Sequence, residues 1–173
     1  MRMLFLDFDG VLHPIDVVTI DYADHGVTIT GNGLLRHAPR LDVLLSNHPD
    51  VAVVISSSWR NNFPLDELKE RLGPLGQKAI GTINSTVVPD RMPFLHEQRP
   101  IIGRYRHCEE LADHFGVTDW LLIDDDPFIV WRTESGAVLP DLEQRVILCD
   151  SMLGMDTPGC WHRLDSWLRS KPE

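Results

Sequence analysis

Three short apolar runs in this chain each end abruptly in a cluster of polar groups. That pattern limits the fold more than any other feature. Leu4-Phe5-Leu6 runs into Asp7-Phe8-Asp9-Gly10-Val11. Val53-Val54-Ile55 runs into Ser56-Ser57-Ser58-Trp59-Arg60, and Leu121-Leu122-Ile123 runs into Asp124-Asp125-Asp126-Pro127. Short apolar runs alternating with longer stretches of helical period predict an α/β domain with a largely parallel sheet. In an open parallel sheet the carboxyl ends of the strands gather along one edge, and ligands bind in the crevice there.

The elements follow from period and punctuation. Met3–Asp7 reads as the first strand, and Val17–Ile20 with Val27–Thr30 as a hairpin turning through Asp24-His25-Gly26. A helix then carries Leu34, Ala38, Leu41 and Leu45, with Pro39 marking either its start or a bend. Val51–Ile55 is a buried strand, and Pro64 opens a short helix bearing Leu65, Leu68 and Leu72 that Gly73-Pro74 stops. Lys78–Ile83 reads as a strand, and residues 84–103 as a proline-bearing loop. A helix over Tyr105–Phe115 shows Cys108, Leu111, Ala112 and Phe115 as its apolar stripe and closes at Gly116. Trp120–Ile123 and Val146–Cys149 are strands, and a last helix carries Trp161, Leu164 and Leu168. No linker divides the chain, so one domain over residues 1–173 is expected.

Composition narrows the function. With 16 Lys and Arg against 26 Asp and Glu the net charge is −10, which argues against unaided binding to nucleic acid or an anionic membrane. No run approaches the roughly 20 apolar residues of a membrane helix. Met1-Arg2-Met3 passes directly into the first strand without the apolar stretch of a signal peptide. Cys108, Cys149 and Cys160 show no CxxC pairing and read as reduced thiols, which fits a cytoplasmic protein. The histidines form no dense ligand pattern, so zinc is not expected.

At the sheet edge, several carboxylates would crowd beside the hydroxyls of Ser56, Ser57 and Ser58. Like charges that close do not all stay ionised without help. A divalent cation is the natural neutraliser, and all-oxygen ligation points to Mg²⁺.

The Asp7-Phe8-Asp9-Gly10-Val11 stretch resembles the first motif of the haloacid dehalogenase (HAD) superfamily of aspartyl phosphotransferases. A Ser after the second strand, a basic residue at a later helix start and an acidic pair after another strand follow in that family's order. The stretches SSSWR, RHCEELADHFGVTDWLLIDDDP and GMDTPG with LDSWL are similar to the small HAD domains named for "Swiss army knife" RNA-repair proteins. The resemblance implies a three-layer Rossmann-like sandwich around a central parallel sheet. It implies that Asp7 is the nucleophile, forming an aspartyl-phosphate, and that Asp9 is the general acid and then the base. Mg²⁺ would be held by Asp7, by Asp9 through its backbone carbonyl, and by Asp124, with Asp125 completing or orienting the set. Ser57 would bind a phosphate oxygen, with Ser56 the fallback. The basic phosphate ligand would be Arg106 at a helix start, with Arg104 second and Lys78 third.

Other roles are weighed beside these. Asp126 before Pro127 reads as a helix cap, His13 as a loop residue that could face substrate, and the five tryptophans as packing rather than a base-stacking platform. Roughly 20 residues separate the first motif from the first helix, enough for a hairpin and too few for a large cap domain. An open site suits a large or end-exposed phosphate. The expected substrate is a phosphorylated one, small molecule or nucleic-acid end, with no membrane and no obligate protein partner. The expected activity is that of a Mg²⁺-dependent phosphatase; the alternatives are a non-catalytic phosphate-binding or regulatory module, or a receiver-like phosphoacceptor, whose motif order fits poorly.

Overall fold

The computed structural model describes residues 1–23, 26–83, 103–126 and 142–170. Five strands form one parallel sheet in the order β5-β4-β1-β6-β7: β1 Arg2–Leu6, β4 Val51–Ile55, β5 Ala79–Thr82, β6 Trp120–Asp124 and β7 Val146–Leu148. A separate antiparallel pair, β2 Thr19–Ala23 and β3 Gly26–Thr30, makes the hairpin. The helices are α1 Ala38–Ser46, α2 Leu65–Leu72, α3 Gly103–His114, α4 Leu142–Arg145 and α5 Cys160–Arg169.

Alternation along the strands sorts their side chains into two layers. Leu4, Leu6, Val53, Ile55, Leu121 and Ile123 face one core, shared with Leu41 and Leu45 of α1, Leu68 and Leu72 of α2, and Leu164 and Leu168 of α5. Met3, Phe5, Val54 and Leu122 face the other, against Tyr105, Cys108, Leu111 and Ala112 of α3. Helices therefore cover both faces of a parallel sheet, the three-layer α/β arrangement expected from the alternating runs. Arg2 is buried beside this sheet. It donates to Asp50 and to the carbonyls of Trp167 and Leu168, tying β1 to the end of α5.

Several boundaries move. The hairpin's first strand begins two residues later than Val17, because Ile15–Val17 forms a 3₁₀ turn; its predicted Asp24-His25 turn lies outside the described residues. Pro39 falls in the first turn of α1, where its missing N–H costs nothing, so it marks the helix start rather than a bend. Phe115 is not part of the buried stripe of α3: it lies beyond the last helical residue and is 42% exposed, while Tyr105 fills the core instead. The short α4 carries too few residues to show a period and is not legible in the sequence. All but the last residue of the proline-bearing loop assigned to 84–103, together with Pro127 and Trp131, lies outside the described residues. The three cysteines are free thiols. Among the described residues no helix is long and apolar enough to cross a membrane.

Candidate active site

The register of the central strands brings the polar clusters together. Leu6 pairs with Ile55 of β4 on one side and with Ile123 of β6 on the other. The residues that follow, Asp7, Ser56 and Asp124, therefore stand at one level on three adjacent strands. The ladder continues into them: Asp7 N–H donates to the Ile123 carbonyl at 3.1 Å and Ser56 N–H to the Leu6 carbonyl at 2.9 Å.

Because Leu6 and Ile123 face the layer of α1, α2 and α5, the next residue on each strand, Asp7 or Asp124, turns toward α3. There the first turn of α3 meets them. Arg104 Nη1 donates to Asp7 Oδ2 and to Asp124 Oδ2, each at 2.5 Å. The other oxygens are held by backbone: Phe8 N–H donates to Asp7 Oδ1 at 2.7 Å, and Asp126 N–H to Asp124 Oδ1 at 3.0 Å. Ser57 is among the groups that favour the ionised Asp7 carboxylate, and its Oγ accepts from the Trp59 amide at 3.4 Å.

The geometry separates the three basic candidates: of them, Arg104 contacts the acidic cluster. Arg106 is exposed on α3, and Lys78 precedes β5, at the opposite edge of a parallel sheet from the strand ends. Arg104 lies four residues before the buried Cys108 and so shares its face, whereas Arg106 lies about 200° around the helix from Arg104. The stripe of Cys108, Leu111 and Ala112 already carried this signal. Ser57 is the hydroxyl beside Asp7, whereas Ser56 Oγ is buried and has no hydrogen-bond partner among the described residues.

Asp7, Asp124 and Asp125 each offer an oxygen, and these atoms lie within 4.8 Å of one another. Burial pushes the Asp7 carboxyl up, against the pull of Arg104. Burial and then the repulsion of Asp7 raise Asp124 to about 7, and burial raises Asp125 against a hydrogen bond from Ser151. Arg104 is held more firmly protonated than usual: burial alone would release its proton, but Asp7 and then Asp124 outweigh it. One guanidinium shared between two carboxylates is secured by both yet cannot neutralise both.

Gly10 completes the cradle. Its φ of +66° suits glycine, and a Cβ there would fall 2.0 Å from Asp125 Oδ2. The absent side chain is what lets Asp125 approach Asp7. Three crowded oxygen donors, with more negative charge than Arg104 offsets, fit a hard divalent cation such as Mg²⁺.

The Asp9 carboxylate stands outside this cluster. Trp59 Nε1–H donates to Asp9 Oδ2 at 2.9 Å and to Oδ1 at 3.0 Å, and His13 Nε2 lies 3.1 Å from Oδ1. Trp59 is placed by the 3₁₀ turn Ser58–Asn61 after β4. Arg60 Nη1 fastens that turn by donating to the Ser56 and Ser57 carbonyls at 2.7 and 2.6 Å. His13 is fully buried. The sequence offers His13 only as a loop residue that could face substrate and Trp59 only as packing; neither is legible as a partner of Asp9, because nothing in a sequence shows an indole N–H aimed across 50 positions at a carboxylate.

A parallel sheet whose central strand ends in one carboxylate of an acidic cluster, with a second carboxylate two residues on, defines a HAD-like α/β domain. The chain belongs to the family of HAD domains in Swiss Army Knife RNA repair proteins, whose model matches residues 3–160. No curated protein and no solved structure matches the chain.

Proposed function

We propose that this protein, acting as a single domain over residues 1–173, is a Mg²⁺-dependent phosphatase that works through an aspartyl-phosphate on Asp7. The observation that carries this reading is the division of labour between two carboxylates two residues apart. Asp7 is buried against Arg104, Ser57 and the Phe8 amide, while Asp9 is gripped separately by Trp59 and His13. This separation supports reading Asp7 as the group that meets a phosphoryl group and Asp9 as the one that moves a proton.

In the first step an Asp7 oxygen forms a bond to phosphorus as the bond to the ester oxygen breaks, and Asp9 gives that oxygen its proton. In the second, Asp9 takes a proton from water as the water oxygen attacks phosphorus, freeing inorganic phosphate and the Asp7 carboxylate. Ser57 and Arg104 orient the phosphoryl oxygens. Asp7, Asp124 and Asp125, with the Asp9 carbonyl that the family pattern adds, would hold Mg²⁺, which when bound supplies charge neutralisation for the transferring group.

The substrate class is a phosphomonoester, small molecule or nucleic-acid end, met without a membrane or protein partner. The test is release of inorganic phosphate from small phosphomonoesters and from oligonucleotides phosphorylated at the 3′ or 5′ end, with Mg²⁺ and with EDTA. Release that requires Mg²⁺ and is lost in Asp7→Asn supports the reading. Phosphate binding with no release from any substrate would leave a phosphate-binding module in its place.

A further inference from the structure

The grip on Asp9 comes from two sides, His13 and Trp59, and His13 is itself held by a third residue. Leu35 N–H donates to His13 Nδ1 at 3.2 Å. An imidazole nitrogen that accepts carries no hydrogen, so the neutral ring bears its proton on Nε2, the atom 3.1 Å from Asp9 Oδ1. Leu35 is the one non-glycine residue with positive φ among the described residues, at 55°. Backbone in this region is costly for a branched side chain, and such strain persists where the surroundings require it. Here it aims the amide that fixes the His13 tautomer. From the other side, the Trp59 ring is packed edge-on to Phe8 and tilted against His13 and Phe63, so its N–H cannot swing away.

The result is unequal use of the two carboxylate oxygens. Oδ1 accepts from both Trp59 and His13, whereas Oδ2 accepts from Trp59 alone among the described residues. Resting on the phosphatase reading above, we propose that Trp59 and His13 are positioning residues for Asp9: the forked Trp59 N–H fixes the carboxylate as a whole, His13 engages Oδ1, and Oδ2, which meets only the shared indole donor, is the oxygen turned to the leaving group. Neither touches the phosphoryl group; both act by holding Asp9. Partners of this kind typically change activity by about 10–100-fold when removed.

The experiment uses the full chain with Mg²⁺ and two phosphomonoesters. One is p-nitrophenyl phosphate, whose leaving group departs without a proton; the other is an alkyl phosphate, whose leaving group needs one. Trp59→Phe keeps the ring and removes the donor. Its kcat/KM for the alkyl ester should fall on the order of 10–100-fold, while that for p-nitrophenyl phosphate stays within about threefold. His13→Gln keeps an N–H donor and should retain most activity on both, whereas His13→Leu should follow Trp59→Phe. A separate readout needs no turnover: the Trp59 indole N–H, assigned in ¹⁵N spectra by its loss in Trp59→Phe, should exchange slowly with solvent and speed up in Asp9→Ala. Equal losses on both esters in a Trp59→Phe protein that melts as wild type, or an indole N–H indifferent to Asp9→Ala, would overturn the positioning role alone. Wild-type protein that releases phosphate from neither ester, nor from a 3′- or 5′-phosphorylated oligonucleotide serving as the alkyl phosphate, overturns the phosphatase reading, and the positioning role with it.

Discussion

Arg104 and Asp7 are 97 positions apart in the chain and share a 2.5 Å hydrogen bond, with the same Arg104 nitrogen also bound to Asp124. This contact joins the first turn of α3 to the end of β1 and sets the charge balance of the whole site.

It gives the first prediction. Arg104→Ala should raise KM and lower kcat for a phosphomonoester, with a combined loss on the order of 10²–10³, the usual worth of a donor aimed at developing charge. Arg106→Ala should change neither by more than about twofold, since surface substitutions usually lie within about 0.5 kcal/mol. Steady-state kinetics on the two variants decides between them, and a larger loss for Arg106→Ala would reject the assignment.

Asp7 and Asp9 should fail in different ways. Asp7→Asn should show no turnover and no phosphorylated protein, because the amide is a poor nucleophile. Asp9→Asn should be slowed in both steps by roughly 10²–10⁴ and, with p-nitrophenyl phosphate, whose leaving group needs no proton, should accumulate phosphoprotein, since its second step lacks a base. Rapid quenching with labelled substrate distinguishes them; label on the Asp7→Asn protein would remove Asp7 from the mechanism.

The raised value of Asp124 fixes a pH dependence. Its folded pKa of about 7 lies above the ordinary 3.8, so the native state binds the extra proton between these values. The stability this contributes is whole below about pH 4 and is lost as pH rises through about 7. In EDTA, wild type should therefore lose more melting temperature than Asp124→Asn between pH 5 and pH 8. Mg²⁺ competes for the same oxygens, so its stabilising shift should grow over that interval in wild type and be smaller throughout in Asp124→Asn. Calorimetry that finds identical Mg²⁺ shifts for the two proteins would place the cation elsewhere.

Gly10→Ala should remove the metal response through sterics. Its Cβ would collide with Asp125 at 2.0 Å, in backbone with φ of +66°. Gly116→Ala is the matched control: φ is +65° there too, but a Cβ meets nothing within 4 Å. Both should lose about 1–3 kcal/mol from left-handed backbone. Only Gly10→Ala should also lose the Mg²⁺-dependent rise in melting temperature. Equal Mg²⁺ responses in the two variants would show that Asp125 needs no such clearance.

Much of this site was written in local sequence. The apolar runs before Asp7, Ser56 and Asp124 gave the strands, and a parallel sheet gathers their ends by geometry alone. The hairpin and most helices followed from period and from proline and glycine. What escaped was information about direction. Choosing Arg104 over Arg106 required the phase of α3, which a helix start alone does not give. The grip of Trp59 and His13 on Asp9 required knowing which way a ring faces after a turn, and ring placement is decided by packing between distant segments. The strained Leu35 amide had no sequence signature, since leucine ordinarily avoids that conformation.

The register of Leu6 with Ile55 and Ile123 has a consequence for how such a chain can change over time. Adding or deleting one residue within β1, β4 or β6 would exchange inward and outward faces beyond that point. The same event would slide Asp7, Ser56 or Asp124 out of their shared row. Core and chemistry are thus encoded by the same spacing, and an insertion there forfeits both at once. Length variation should be confined to connections such as the β2–β3 hairpin, whose pairing is separate from the main sheet.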